Sequence, residues 1–340
     1  MPARRCDRRA FTGAGLAALV GAVVTVRPNL ARAQTPVTIQ LDWLMSNGQI
    51  GDVVALQKGY YTEEGLDVTF QPGGPDAQTV PTVASGLAKL GQCSDTGQAS
   101  IARGTGIPLQ VMACGYRSTP FAYYSLPRAP IRTVPDMVGK RIGTQQAARF
   151  VLDILLKKYG IDPSQLEIVM IGFDMAPLVT GQVDAVTGWI TNTAALSVIG
   201  PDRIDLIMQD AGLPTMANAY FATEDTVRND PETLAKLIRA SARGWEWAYH
   251  HRPESIDMLC DAFPNLDRAI EKQTVDTVMM LDFDADTKAN GWGWFNTAKI
   301  AERIRLFDEV KLYEQGAPKA EELMTTAILG LTADARPKLG

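Results

Sequence analysis

The chain has 340 residues, 46% hydrophobic and 21% charged, with a formal charge of −5. That is an ordinary globular balance, with room for one large core or for two lobes. No internal stretch reaches the ~18 uninterrupted apolar residues of a membrane span, and low-complexity tracts are absent.

Residues 1–33 read as an export signal. "ARRCDRRAF" is a basic leader, "TGAGLAALVGAVVTV" an apolar segment, and "ARA" at 31–33 places small residues where a signal peptidase cuts. Arg8-Arg9 followed by Ala10-Phe11 resembles a twin-arginine signal; a plain secretory signal with incidental arginines is the alternative. A retained anchor is disfavoured by the short apolar segment. A lipoprotein is disfavoured because Cys6 precedes that segment. Removal of 1–33 takes the formal charge to −10, with 27 basic against 37 acidic residues. A mature chain of that charge repels nucleic acid and anionic membranes, and no basic cluster offsets it. Cys93, Cys114 and Cys260 remain, which allows at most one disulfide or three buried thiols.

The first clear unit spans 37–70. Val37, Ile39 and Leu41 alternate with Thr38 and Gln40, the period of a strand. Ile50, Val53, Val54 and Leu56 then follow at mostly helical spacing from Gly48 to Tyr61, with Gly59 and Gly65 marking the end. "LDVTF" alternates again. This is β-α-β, and so a parallel pair with a right-handed crossover. A second such unit follows: "KRIGT" as a strand, "QQAARFVLDILLKKYG" as an amphipathic helix closed by Gly160, and "LEIVMIGF" as a strand. The separations, Asp42 to Leu66 and Gly143 to Ile168, both suit a β-α-β crossover.

Downstream, "VASGLAKLGQCS" (83–94) and "LVTGQVDAVTGW" (178–189) share one pattern of helix end, glycine, strand and small-residue loop. Laying Gly86 on Gly181 sets Ser94 opposite Trp189. The repeat indicates two similar α/β lobes, each a mixed sheet flanked by helices. "RSTPFAYYSLPRAPIRTVPDMVGK" reads as the segment crossing between them, and "DAGLPTMANAYFAT" (210–223) as the return. These place lobe 1 at 34–122 and 223–340, with lobe 2 inserted at 123–222. From Pro231 onward the chain reads as mainly helical, with Leu234, Leu237, Ile238 and Trp245 on a buried face.

Ligands of open α/β sheets sit outside the carboxyl ends of the strands. The loops 42–49, 93–98, 144–149 and 188–192 are therefore the candidates, facing a cleft between lobes that closes about a hinge. Trp43 and Trp189 are either cleft faces or core filling. Asp42 either accepts from a ring N–H or amino group of a ligand, or bridges to backbone. Asn47 and Thr144 cap the following helices or touch ligand, and the two roles are compatible. Trp292 and Trp294 either line the cleft or pack the C-terminal helices. His250 and His251 are adjacent on a helix and face different ways, so no metal site is expected. No nucleophile elbow, zinc-protease motif or P-loop occurs.

Three stretches carry a family resemblance. "LDWLMSNGQIGDVVALQKGYYTEEGLDV", "GFDMAPLVTGQVDAVTGW" and "NDPETLAKLIRASARGWEWAYHHRPE" resemble the SsuA/thiamine-pyrimidine-synthase-like (NMT/Thi-like) family over about residues 36–310. The resemblance implies a two-lobe type II periplasmic binding protein of an ABC importer. Its ligands would be thiamine-pyrimidine precursors, riboflavin-like heterocycles, sulfonates, nitrate or related small molecules. The chain departs from the family pattern where Met45-Ser46 replace Pro-Asn and Gln49 replaces a histidine. Fungal pyrimidine synthases of the family use a lysine and a histidine whose places fall near Ser94 and Gln98. Ser94 supplies no amine for a Schiff base, so synthase activity is disfavoured and no cofactor is expected.

The expectation is thus an exported, periplasmic, monomeric solute-binding protein that is not an enzyme and hands its ligand to an inner-membrane permease. The candidate ligand contacts are Asp42, Trp43, Asn47, Gln49, Ser94 and Gln98 from lobe 1. Thr144, Gln145, Gln146, Trp189 and Asn192 come from lobe 2, with Tyr220 on the return crossing. A planar N-heterocycle is favoured over a sulfonate, taurine or nitrate anion. Arg149 is the one nearby cation for the anion, and Asp42 would oppose it.

Overall fold

A computed structural model describes residues 34–340 except 75, 76, 173 and 214; the export signal lies outside the described residues. Ten strands form two five-stranded sheets. The first contains β1 (Thr35–Leu41), β2 (Leu66–Gln71), β3 (Leu90–Asp95), β4 (Leu109–Tyr116) and β10 (Ala217–Thr223). The second contains β5 (Phe121–Ser125), β6 (Arg141–Thr144), β7 (Glu167–Met170), β8 (Ala185–Trp189) and β9 (Ile204–Ile207).

The strand orders are β2-β1-β3-β10-β4 and β7-β6-β8-β5-β9. Both begin with three parallel strands and carry one antiparallel strand in fourth place. The two sheets are therefore the same plan, except that each receives its antiparallel strand from the far side of a crossing. The sequence reading took both exchanged strands for parts of the crossings. Residues 121–125 form β5, between β8 and β9 of the second sheet, and residues 217–223 form β10, between β3 and β4 of the first. The connecting stretches are only 117–120 and 208–216.

The first β-α-β unit has β1 and β2 parallel from Thr35–Leu66 to Gln40–Gln71. The helix expected between them is divided. A short 3-10 turn, Asn47–Gln49, leads into helix Ile50–Gln57, and after a left-handed Gly59 (φ 76°) a single turn, Tyr60–Glu63, follows. In the second unit the helix expected from Gln145 likewise opens with a 3-10 turn, Gln146–Ala148, before helix Arg149–Tyr159, which ends at Gly160 as expected. The glycines paired by the internal repeat, Gly86 and Gly181, have φ of 79° and 77°. Each makes the same left-handed turn ahead of β3 and β8, a conformation that glycine adopts at no steric cost.

The main core runs through the first sheet and continues onto one face of the second; a smaller cluster covers the other face. Successive residues Tyr123 and Tyr124 of β5 enter different clusters, as the alternation of a strand buried on both faces requires. Leu234, Leu237, Ile238 and Trp245 of helix Pro231–His250 are all fully buried, as their spacing indicates. This helix crosses helix Ile50–Gln57 at an unusually close point. A Cβ on Gly51 would strike the Trp245 indole, and one on Gly244 would strike the Gly51 carbonyl oxygen and the Ala55 backbone. Trp245 in turn lies near-parallel to Trp292, with ring centroids 6.3 Å apart. Trp292 is thus core, while Trp294 is half-buried. Cys93, Cys114 and Cys260 are buried and free. No helix among the described residues is long and apolar enough to cross a membrane.

Gly244→Ala is expected to lower unfolding stability by about 1–3 kcal/mol, because the added methyl meets backbone that no rotamer change can clear. Urea denaturation of the variant beside Ala240→Gly, on the same helix, checks this. A Gly244→Ala midpoint equal to the native one would mean the two helices do not cross at that separation.

Candidate functional site

Within each sheet the parallel strands end on one edge. Leu41 and Asp95 close β1 and β3; Thr144 and Trp189 close β6 and β8. Ala217 pairs with Asp95 and Phe121 with Trp189, so both connecting stretches also join these edges. The carboxyl edges are tied to each other, and loop 42–49 meets loop 188–192 where Asn47 bonds the Thr191 carbonyl.

Asp42 follows β1 directly. Its Oδ2 accepts from the Ser94 N–H at 2.6 Å. The residue is half-buried, yet desolvation of the carboxyl holds it above its ordinary range. Hydrogen bonds from the Ser94 side chain and backbone and from Gln98 act in the opposite direction. Three of the candidates, Asp42, Ser94 and Gln98, therefore converge. Trp43 is half-buried and its neighbour Leu44 is exposed. The chain here is fixed from behind: Gly73 N–H donates to the Trp43 carbonyl at 2.9 Å and Gly74 N–H to that of Asp42 at 3.2 Å.

Asn47 does not cap the first turn. Ser46 does so, with Gln49 completing a capping box. The buried Asn47 amide instead donates to the Thr191 carbonyl at 2.9 Å and to Glu271 Oε2 at 2.8 Å. Gln49 also points inward. Its Nε2 donates to Gln92 Oε1 at 2.8 Å and its Oε1 accepts from the Ser46 N–H at 3.1 Å. Gln92 Nε2 reaches toward Asp52 Oδ2 at 3.5 Å. Asp52 is fully buried and accepts from Tyr220 at 2.7 Å and Tyr61 at 3.3 Å. Burial raises its carboxyl above the ordinary value despite these donors. Tyr220 is a fully buried strand residue of β10 whose hydroxyl is committed to Asp52. It belongs to the interior of the first sheet, not to a crossing segment.

On the second side, Thr144 is fully buried and does not cap the following turn, whose N-cap is Gln145. Gln145 is half-buried, Gln146 exposed, and Trp189 half-buried at the end of β8. Asn192 is exposed and caps helix Thr193–Ile199 by accepting from Ala195 N–H at 3.3 Å. Arg149 is ion-paired with Asp153 at 2.9 Å. A second cation, Arg303, is buried near the first edge and meets Asp95 Oδ2 at 3.4 Å. Among the described residues, no group of three or more His, Cys, Asp and Glu side chains is placed to hold a metal ion.

The NMT1/THI5 like family model matches residues 47–255. The chain belongs to that family. Among NMT1/THI5-like relatives, the formylaminopyrimidine-binding protein of Halalkalibacterium halodurans is 27% identical, over 66% of this chain and 69% of the relative. The 4-amino-5-hydroxymethyl-2-methylpyrimidine phosphate synthase of Legionella pneumophila is 23% identical, over 82% of this chain and 90% of the relative. In structure, the chain resembles the periplasmic aliphatic sulphonate binding protein SsuA of Escherichia coli with a TM-score of 0.63. That match has 14% identity and covers 84% of this chain and 91% of SsuA. The fold of this NMT1/THI5-like chain is therefore the two-lobe α/β architecture of periplasmic binding proteins.

The residues that sequence reasoning missed are Asp52, Gln92 and Glu271, which partner Tyr220, Gln49 and Asn47. Asp52 left a signal, as an acid within the apolar helix "IGDVVAL". Asp52→Asn tests the network behind Gln49. A carboxyl raised by folding is tolerated when protonated and becomes unfavourable as pH rises through its folded value. The stability of Asp52→Asn relative to the native protein is therefore expected to increase from pH 4 to pH 7 in urea titrations. A difference that is flat with pH would contradict a raised Asp52.

Proposed function

We propose that this is an exported solute-binding protein of an ABC importer that captures a planar N-heterocycle, such as a pyrimidine related to thiamine, between its lobes. The observation that carries this reading is Asp42. It is an acceptor at the carboxyl end of β1, oriented by Ser94 N–H and placed beside the half-buried Trp43. A heterocycle bearing N–H or amino donors stacks on an indole and donates to such a carboxylate. Trp189 offers a second aromatic face from the opposite lobe. The lobes would be the two sheets with their helices, the second inserted into the first between β4 and β10. Contacts made to both lobes at once shift the population to the closed form. The pyrimidine ligand named for the Halalkalibacterium relative fits the same chemistry. In this reading the protein acts as a monomer in the periplasm, after loss of residues 1–33, and delivers its ligand to an inner-membrane permease.

The sulfonate or nitrate alternative requires cationic or N–H donors. Arg149 and Arg303 already face Asp153 and Asp95, and Asp42 opposes an anion. The synthase alternative, named for the Legionella relative, requires an amine and an imidazole. Ser94 and Gln98 supply neither.

Native mass spectrometry of the purified mature protein, followed by thermal-shift titration with aminopyrimidines and with taurine, tests the reading. A heterocycle released unchanged and a melting shift with aminopyrimidine are expected. Covalently bound pyridoxal phosphate or chemical turnover would replace the reading with the enzyme. Trp43→Ala is expected to weaken heterocycle binding about five- to a hundredfold, on the scale of ~1–3 kcal/mol for a lost stacking face. Unchanged affinity would remove stacking from the account.

A further inference from the structure

Asn47 was expected to be a ligand contact, but both amide hydrogens are used by protein. One bonds the Thr191 carbonyl in the loop after β8, on the second lobe. The other bonds Glu271 on helix Arg268–Asp282. Glu271 is buried, its carboxyl is raised by burial, and the Asn47 hydrogen bond counters that shift. One turn along the same helix, the buried Thr274 hydroxyl bonds that of Thr193, at the start of helix Thr193–Ile199 of the second lobe. Across the other side of the cleft, Phe150 of helix Arg149–Tyr159 meets Phe307 of helix Thr297–Glu309 edge to face, with centroids 5.4 Å apart.

We infer that Asn47, Glu271 and Thr274 form a latch that holds the lobes closed through protein contacts alone. These are positioning residues, setting how much of the protein is closed without touching the ligand. The inference rests on the reading of the molecule as a two-lobe binder that opens and closes. Its physical basis is that none of the donors or acceptors requires a ligand to complete it. Opening would strip the Thr191 and Thr193 partners from Asn47 and Thr274. It would leave buried polar groups to be resolvated, which limits the net gain to the ordinary value of a hydrogen bond. Such a contribution alters the closed-to-open ratio by several-fold per bond. Asn47 is suited to this because it accompanies the capped turn Ser46–Gln49, whose orientation is fixed from below by Gln92.

The test uses the full mature protein, unfolded and refolded to strip any bound molecule. Spin labels are placed on Lys157→Cys and Glu302→Cys, exposed positions on the two helices that carry Phe150 and Phe307. The native cysteines are buried. Double electron–electron resonance is expected to show a short and a long distance. Asn47→Ala should move the ratio about tenfold toward the long one, and Thr274→Val several-fold, with the melting temperature little changed. Native and variant proteins with the same two populations, or a native protein with only the long distance, overturn the latch and leave lobe closure standing. A single short distance in every variant means the lobes do not open, and closure and latch fail together.

Discussion

The exchange of one strand between the two sheets is the constraint on which the site depends. β10 is synthesised after the whole of the second sheet, yet it fills the gap between β3 and β4. Without it the first sheet would have two unpaired edges at its centre, and buried backbone groups tolerate little of that. β5 has the equivalent place between β8 and β9. Because both exchanged strands run antiparallel, they start at the carboxyl edges of their neighbours. The connecting stretches are therefore short and join edge to edge. The placement of the candidate loops follows from this topology: the crossings join the carboxyl edge of one sheet to that of the other.

The floor of the first lobe is built from polar groups as well as apolar ones. Asp52 lies within a hydrogen-bonded set that includes Tyr61, Tyr220, Gln92 and, through Tyr61, Ser241 at 2.8 Å. No cation pairs with it in that set, and desolvation dominates its titration. A buried carboxylate of this kind is weak evidence for stability, since an apolar replacement of equal volume is often no worse. What it does here is directional. Gln92 faces Asp52 on one side and Gln49 on the other, so the turn bearing Ser46 and Asn47 has one hydrogen-bonded orientation. Satisfied polar networks contribute uniqueness of arrangement in this way.

How much of this was legible in the sequence varied with the range of the interactions. The β-α-β units were readable because alternation and helical spacing are local, and Gly86 and Gly181 marked equivalent turns. The exchanged strands were not. "FAYYS" and "ANAYFAT" are short apolar runs near prolines, and a strand buried on both faces lacks a clean alternation. Their identity comes from partners far along the chain. The cleft loops were readable as positions, through the rule that ligands sit at carboxyl strand ends. Side-chain partners were not: Gln49 turns inward to Gln92, and Asn47 reaches Thr191 and Glu271, because these groups, all distant in sequence, supply well-placed partners. Tyr220 is the same case, with Asp52 as its partner.

The division of labour among these residues bears on specificity. A residue that touches ligand changes the affinities of two ligands by different amounts, because it meets different atoms in each. A residue that acts only on lobe closure multiplies every affinity by the same factor, since apparent affinity scales with the fraction of protein in the competent form. In the proposed reading, Asp42, Ser94, Gln98 and Trp43 are of the first kind, with Asp42 bonded to Ser94 N–H at the end of β1. Asn47, whose donors are spent on Thr191 and Glu271, would be of the second kind in the same reading. On that reading the first loop would carry both functions within a few residues: recognition at its start, closure at its end. Sequence change in one half of "LDWLMSNGQ" would then alter which ligand is bound, and change in the other half how tightly any ligand is held.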